Sequence, residues 1–194
     1  MNKAIVYIHG QGGNAGEAEH YRPLFPDADV LGFDYKADTP WDAKEEFGKY
    51  FDAVCRKYGT VSLIANSIGA FFTMNSAIGG KLERAFFISP VVDMEKRIRS
   101  MMTRQNVTEE ELREKKEIGT LSWEYLCYVR EHPLRWDVPT HILYGEFDKL
   151  TSFDTVSAFA KEIGATLDVM PGGEHWFHTK EQMDFHDRWL RQYR

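Results

Sequence analysis

A serine, an aspartate and two histidines each follow a short apolar run, and together they have the makings of an activated nucleophile. "VSLIA" (61–65) leads into Asn66-Ser67-Ile68-Gly69, "HILYG" (141–145) into "EFDK" with Asp148, and "TLDVM" (166–170) into "PGGEHWFH" with His175 and His178. A fourth run, "AIVYI" (4–8), is followed by "HGQGGN". A serine hydroxyl is a weak nucleophile near neutral pH and needs an adjacent base. Imidazole suits that task, since the free group titrates near pH 6.5, about the pH at which such chemistry runs. A carboxylate fixes the imidazole tautomer and stabilises the imidazolium.

An oxyanion also has to be received, and two fixed N–H donors are needed for that. The peptide N–H of Ile68, just after the serine, is one candidate, and that of Gln11 in the glycine-rich loop is the other. Gly10, Gly12 and Gly13 would let this backbone bend close to a substrate. Each residue also has a plainer reading. A serine before a helix is usually an N-cap. Asp148 could cap a helix beginning near Thr151, and Glu146 and Asp154 are rival carboxylates. His175 and His178 compete for the base, and a loop soon after the last strand favours His175. As an "HxxH" metal pair they lack an evident third ligand, and no metal site is assigned. His20, His132, His141 and His186 show no partner pattern and read as surface or satisfied core residues.

The elements that must position these groups follow from periodicity. Six runs of strand length recur at 4–8, 29–33, 61–65, 85–89, 141–145 and 166–170. Most are apolar on both faces, which is the mark of parallel strands covered by helices. Between them lie helical patterns. Thr39-Pro40-Trp41-Asp42 opens one whose face is Phe47, Phe51, Val54 and Tyr58, with Gly59 to end it. Phe153, Val156, Phe159, Ala160 and Ile163 form a second stripe closed by Gly164. Thr179 and Gln182 form a capping box ahead of Met183, His186, Trp189, Leu190 and Tyr193. Alternating strands and helices predict an open α/β sheet with right-handed crossovers, and sites in such sheets lie beyond the carboxyl ends of the strands.

One interval breaks the rhythm. Residues 93–137 carry no strand signal. Thr108-Glu109-Glu110-Glu111 reads as a capping box opening a charged helix, and "SWEYLCYVREHP" as another helix stopped by Pro133. Insertions of this length are more often functional than decorative, and this one is read as a small helical cap. Met94, Met101, Met102 and Trp123 could line an acyl pocket beneath it, although ordinary packing accounts for them equally well. Lys96, Arg97, Arg99 and Arg104 could receive an acidic substrate group. A solvated helix face, neutralised by the acids at 109–117, is the favoured reading.

Bulk properties exclude several classes. The 194 residues suit one large domain with a full core. A net charge of −6 argues against nucleic acid, which calls for a basic stripe. Cys55 and Cys127 are too few for a disulfide framework or a metal site, and read as small core hydrophobes in a reducing compartment. The N-terminal apolar run is too short for a signal peptide or a membrane span, so no membrane partner and a cytoplasmic location are expected.

The order Ser, Asp, His, with an "HGxGG" loop after the first strand, resembles the α/β-hydrolase superfamily over nearly the whole chain, in particular its small cytoplasmic bacterial serine esterases. The resemblance implies Ser67 as nucleophile, Asp148 (the "YGEFD" position) as acid, His175 as base, and Gln11 and Ile68 as oxyanion donors, with His9 as a loop-structuring residue. Two departures stand out. The elbow motif G-x-S-x-G has Ala65 at its first position, one methyl that should be tolerated. The chain also starts at the strand before the oxyanion loop, so a six-stranded, all-parallel core is expected. The implied activity is hydrolysis of a small carboxylic ester or thioester through an acyl-enzyme, with no cofactor and a small-molecule substrate as the partner. Acyl transfer or carbon–carbon hydrolysis on the same triad, and a non-catalytic binder, are the alternatives.

Overall fold

The computed structural model describes residues 2–194. Its chain divides into two compact units, one formed by residues 1–92 and 136–194, the other by residues 93–135.

The first unit holds six strands: β1 (Lys3–Ile8), β2 (Asp29–Phe33), β3 (Thr60–Asn66), β4 (Arg84–Ile88), β7 (Thr140–Gly145) and β8 (Thr166–Met170). Two further short strands, β5 (Glu117–Ile118) and β6 (Leu121–Ser122), belong to the second unit. The six pair in the order β2-β1-β3-β4-β7-β8, and every pairing is parallel, as the doubly apolar runs imply. Inner strands β1, β3 and β4 are buried almost throughout, whereas the edge strands β2 and β8 are only partly buried.

Pleating sends alternate residues to opposite faces. Ile5, Tyr7, Ile64, Phe86, Ile88 and Leu143 form one core layer with Tyr21, Leu24, Trp189 and Leu190. The first two of these latter residues lie on a 3₁₀ helix, Ala15–Leu24, and the others on α7 (Lys180–Tyr193). The opposite face, with Val6, Ile8, Leu63 and Ala65 fully buried, meets α1 (Pro40–Lys57) and α2 (Ile68–Asn75). On the edge strand, Asp168 accepts hydrogen bonds from Trp189 Nε1 (3.1 Å) and Tyr193 Oη (2.9 Å), which fasten α7 to β8.

Several local expectations hold residue by residue. Thr39 caps α1 with Pro40 in its first turn, and Thr179 and Gln182 form the capping box of α7. Gly164 ends α6 (Phe153–Ile163) in the left-handed region. Other expectations do not. Tyr58, in extended backbone, ends α1, and Gly59 instead donates its N–H to Asn2 O. Phe153 is exposed rather than part of a buried stripe. Cys55 and Cys127 are both free and half-buried, not core residues. The 3₁₀ helix was hidden in the sequence by Pro23, and by an Asn14/Glu17 capping box disguised as the tail of a glycine-rich loop.

The second unit contains α3 (Met94–Gln105), α4 (Glu109–Lys115) and α5 (Trp123–Glu131). The capping box on Thr108 and Glu111 opens α4 as expected. The interval does contain strands, contrary to expectation. β5 and β6 form an antiparallel hairpin turned at Gly119, whose φ is +60°. Two residues per strand are too few to leave an alternating pattern. Arg130 donates to both carboxylate oxygens of Glu109 (2.8 Å each) and to Glu95 (3.0 Å), and Arg99 also reaches Glu95 (2.9 Å). These bonds hold the Glu95 and Glu109 carboxyls below the usual range. Part of the basic cluster is thus engaged by neighbouring acids. Among the described residues no helix is long and apolar enough to cross a membrane.

Candidate active site

Strand order reverses at β1: β2 lies on one side of it and β3, with all later strands, on the other. At such a switch point the loops leaving adjacent strands diverge and open a crevice. The loop after β1 is the glycine-rich segment 9–14, and the residue after β3 is Ser67.

Ser67 occupies the position of an N-cap for α2, but its side chain makes no cap bond. Its Oγ lies 2.8 Å from His175 Nε2 instead. The backbone there has φ +49° and ψ −116°, which a non-glycine residue adopts at a cost of about 1–3 kcal/mol. The tight turn is held by its surroundings, with Ser67 N–H donating to Ile88 O (3.0 Å) and Ser67 O accepting from Val91 N–H (3.1 Å).

His175 Nδ1 is 2.7 Å from Asp148 Oδ2, and the Asp148 side chain is fully buried. A carboxylate only accepts, so Nδ1 carries the proton and Nε2 presents its lone pair to the serine. The other Asp148 oxygen accepts from the N–H groups of Leu150 (2.8 Å) and Thr151 (3.1 Å). The turn-capping reading and the histidine-orienting reading of Asp148 are therefore both satisfied, one by each oxygen. The rival Glu146 is used elsewhere, accepting from Gly172 N–H at 2.7 Å. The loops that carry Asp148 and His175 meet because β7 ends on a glycine. A Cβ at Gly145 would stand 2.4 Å from Glu174 O, and Phe147 N–H donates to Gly173 O at 2.7 Å.

The other histidines separate cleanly. His178 bonds through Nδ1 to Trp176 O (2.8 Å), stacks on Trp176, and gives its N–H to Gln182 at the start of α7. His9 stacks on Tyr35, whose hydroxyl donates to His9 O (2.9 Å), so this ring braces the loop. His186 is a core residue, as expected, but it is not satisfied: neither ring nitrogen has a hydrogen-bond partner. Its burial pushes the imidazole below the usual histidine range, with Asp187 opposing. His20 is paired after all, with Asp187.

Ile68 is the first residue of α2, where a peptide N–H has no partner within the helix. Gln11 sits in an exposed turn closed by Gly13 N–H to Gly10 O (3.1 Å), with Gly12 at φ +77°. The loop runs hard against Ser67, since a Cβ on Gly10 would lie 3.3 Å from Ser67 Cβ. Behind the loop, Glu17 bonds the Tyr7 hydroxyl, which in turn accepts from Asn66 Nδ2 (2.9 Å). Burial, with Tyr21 and Glu17 nearby, keeps the Tyr7 phenol protonated. Met101 and Met102 lie on α3 and Trp123 opens α5, all within the second unit. Met102 is buried and the other two are half-buried. Sequence reasoning passed over Phe147 and Trp176, which are 58% and 74% exposed beside the acid and the base. Large aromatics adjoining two site residues were the available signal.

The two ends of the elbow motif have different room. Ala65 is buried in register between Ile8 and Phe87, and its methyl occupies an ordinary sheet position. At Gly69 a Cβ would stand 2.4 Å from His9 O. Backbone cannot yield there without moving the glycine-rich loop. Gly69→Ala is expected to cost about 1–3 kcal/mol, a fall in Tm of roughly 2–12 °C for a chain of this size. Gly48→Ala, with open space at its Cβ inside α1, should be neutral or stabilising. Thermal unfolding of the two variants checks the contrast.

No protein-family model and no curated protein matches the sequence, but solved structures do. Est1E from Butyrivibrio proteoclasticus, with ferulic acid bound, aligns over 100% of this chain and 88% of its own, with TM-score 0.74 and 14% identity. The esterase PF2001 of Pyrococcus furiosus gives TM-score 0.63 and 17% identity over 98% of this chain and 80% of its own. A monoacylglycerol lipase of Paleococcus ferrophilus gives 0.66 and 16% over 98% and 95%. Likeness at such low identity is one of architecture, and it agrees with the all-parallel sheet and its strand order: this chain has the α/β-hydrolase fold.

Proposed function

We propose that the protein is a serine hydrolase acting on small carboxylic esters or thioesters. The observation that carries this reading is that Ser67 Oγ, in a strained turn at the head of α2, bonds His175 Nε2 rather than capping the helix. As Oγ attacks the substrate carbonyl carbon, its proton passes to Nε2, and Asp148 stabilises the imidazolium through Nδ1–H. The carbonyl oxygen becomes an oxyanion facing the N–H groups of Ile68 and Gln11. Collapse expels the alcohol or thiol, which takes the proton from Nε2, and leaves an acyl group on Ser67. Water then gives a proton to the same nitrogen as it attacks the acyl carbon, and the acid leaves as the proton returns to Oγ. Every step uses groups of the protein and water, so the chemistry requires no cofactor. The neighbours named as esterases and a lipase lend support at the level of reaction class.

A panel of purified-protein assays on esters, thioesters, amides and carbon–carbon bonded diketones tests the reading. Esters or thioesters should give the highest kcat/KM, and transfer to added alcohols should stay below hydrolysis. Turnover of the diketones alone would point instead to carbon–carbon hydrolysis. In the same reading residues 93–137 act as a cap, with Met101, Met102 and Trp123 against the acyl chain. Replacing any of the three by alanine should change the ratio of kcat/KM between short and long acyl esters by roughly 10-fold or more, since one methylene is worth about 1–3 kcal/mol in a fitted pocket. Equal losses on all chain lengths would remove these side chains from the acyl site.

A further inference from the structure

On the face of the sheet carrying the 3₁₀ helix, three side chains converge that the hydrolytic chemistry leaves unused. His20 projects from the 3₁₀ helix, and His186 and Asp187 are consecutive residues of α7. His20 Nε2 is 2.8 Å from Asp187 Oδ1, and His186 Nδ1 is 3.3 Å from the same oxygen. One donor atom from each residue lies within 4.8 Å of the other two. The rings of His20 and His186 are stacked, with centroids 6.0 Å apart.

His186 makes this more than a surface ion pair. Its side chain is 2% exposed, and among the described residues neither ring nitrogen makes a hydrogen bond, Nδ1 having only the 3.3 Å ion-pair contact with Asp187. A buried polar atom without a partner costs about 1–3 kcal/mol and calls for an explanation. Phenylalanine or leucine would fill the same volume without that cost. We propose that His20, His186 and Asp187 bind a divalent transition-metal ion of the zinc class. The donor set selects the metal: two imidazoles and one carboxylate suit zinc, cobalt, nickel or copper, whereas magnesium and calcium take oxygen ligands. Zinc bonds of about 2.0–2.2 Å in a tetrahedron set donor atoms about 3.3 Å apart. The His186–Asp187 spacing already has that value. His20, 37% exposed, needs only a small side-chain adjustment, and its open side admits a water as fourth ligand.

The ion would join the 3₁₀ helix to α7. That helix starts from the capping box on Asn14 at the end of the oxyanion loop, and its Glu17 braces Tyr7 and, through it, Asn66. The site therefore steadies the frame behind the loop and takes no part in the chemistry at Ser67.

Untagged full-length protein, stripped with chelator, is titrated with Co²⁺ as the spectroscopic probe and then with competing Zn²⁺. One Co²⁺ per chain with visible ligand-field bands is expected, displaced by one Zn²⁺, together with a rise in Tm. His20→Ala and Asp187→Asn should each weaken Co²⁺ binding by at least the roughly 10–100-fold known for loss of outer partners of a metal site. Both are partly exposed, and circular dichroism without metal verifies that they fold. His178→Ala should bind as the native protein does. The proposal is overturned if native protein shows no stoichiometric site. It is equally overturned if His20→Ala and Asp187→Asn bind unchanged, or if the site is lost in His178→Ala.

Discussion

Ser67→Ala is expected to lower kcat by about 10⁶-fold, the scale on which loss of a serine nucleophile is felt in triad enzymes. It should also abolish labelling by a fluorophosphonate, while leaving Tm within a degree or two. The reason is local. In the proposed reaction the hydroxyl is the atom that bonds the acyl group, and its hydrogen bond among the described residues is to His175 Nε2 at 2.8 Å. The turn that holds it is built from backbone bonds to Ile88 and Val91, which the variant keeps. Native protein should gain one phosphonyl adduct, placed on Ser67 by peptide mapping. Urea should prevent labelling, because serine and histidine are 108 residues apart in the chain and meet only when folded. Labelling elsewhere with Ser67 untouched would leave a fold without the activity.

His175→Ala should bring a loss of similar size, about 10⁵–10⁶-fold in kcat, because nucleophile and base act as one unit. His178→Ala should change kcat less than about threefold. The two histidines differ in what they touch: His175 spans Ser67 and Asp148, while His178 is committed to Trp176 O and the start of α7. Only an unprotonated Nε2 can accept the serine proton, so kcat/KM should fall as the medium is acidified. Kinetics of both variants on one ester decide the matter, and the opposite ranking would make His178 the base.

Most of the frame is legible in the sequence alone. The inner strands of the main sheet announce themselves as apolar runs, because parallel strands covered on both faces need no finer pattern, and the part-buried edge strands β2 and β8 keep enough apolar residues to be read as strands of the same length. Ser67, Asp148 and His175 could be brought together on paper because each follows such a run, and the carboxyl ends of parallel strands share one edge. Finer choices needed contacts. Asp148 and Glu146 are separated in sequence only by the position the resemblance favours, and in the structure by their partners, His175 for one and Gly172 for the other. The 3₁₀ helix and the β5–β6 hairpin escaped because tight turns and two-residue strands have no periodicity to display. The His20, His186 and Asp187 cluster escaped for a related reason: His20 lies more than 160 residues from the other two, and helix and strand patterns carry no trace of contacts over that distance.

The place of β8 at the rim of the sheet ties the appearance of activity to the order of assembly. β8 pairs only with β7 and is clasped by α7 through Asp168, yet the turn that leaves it carries His175. A refolding chain can therefore bury the hydrophobic layer around β1, β3 and β4 and still be inert. In the proposed reading, reactivity at Ser67 reports that β8 and the turn after it are in place, a separate event from burial of the central strands.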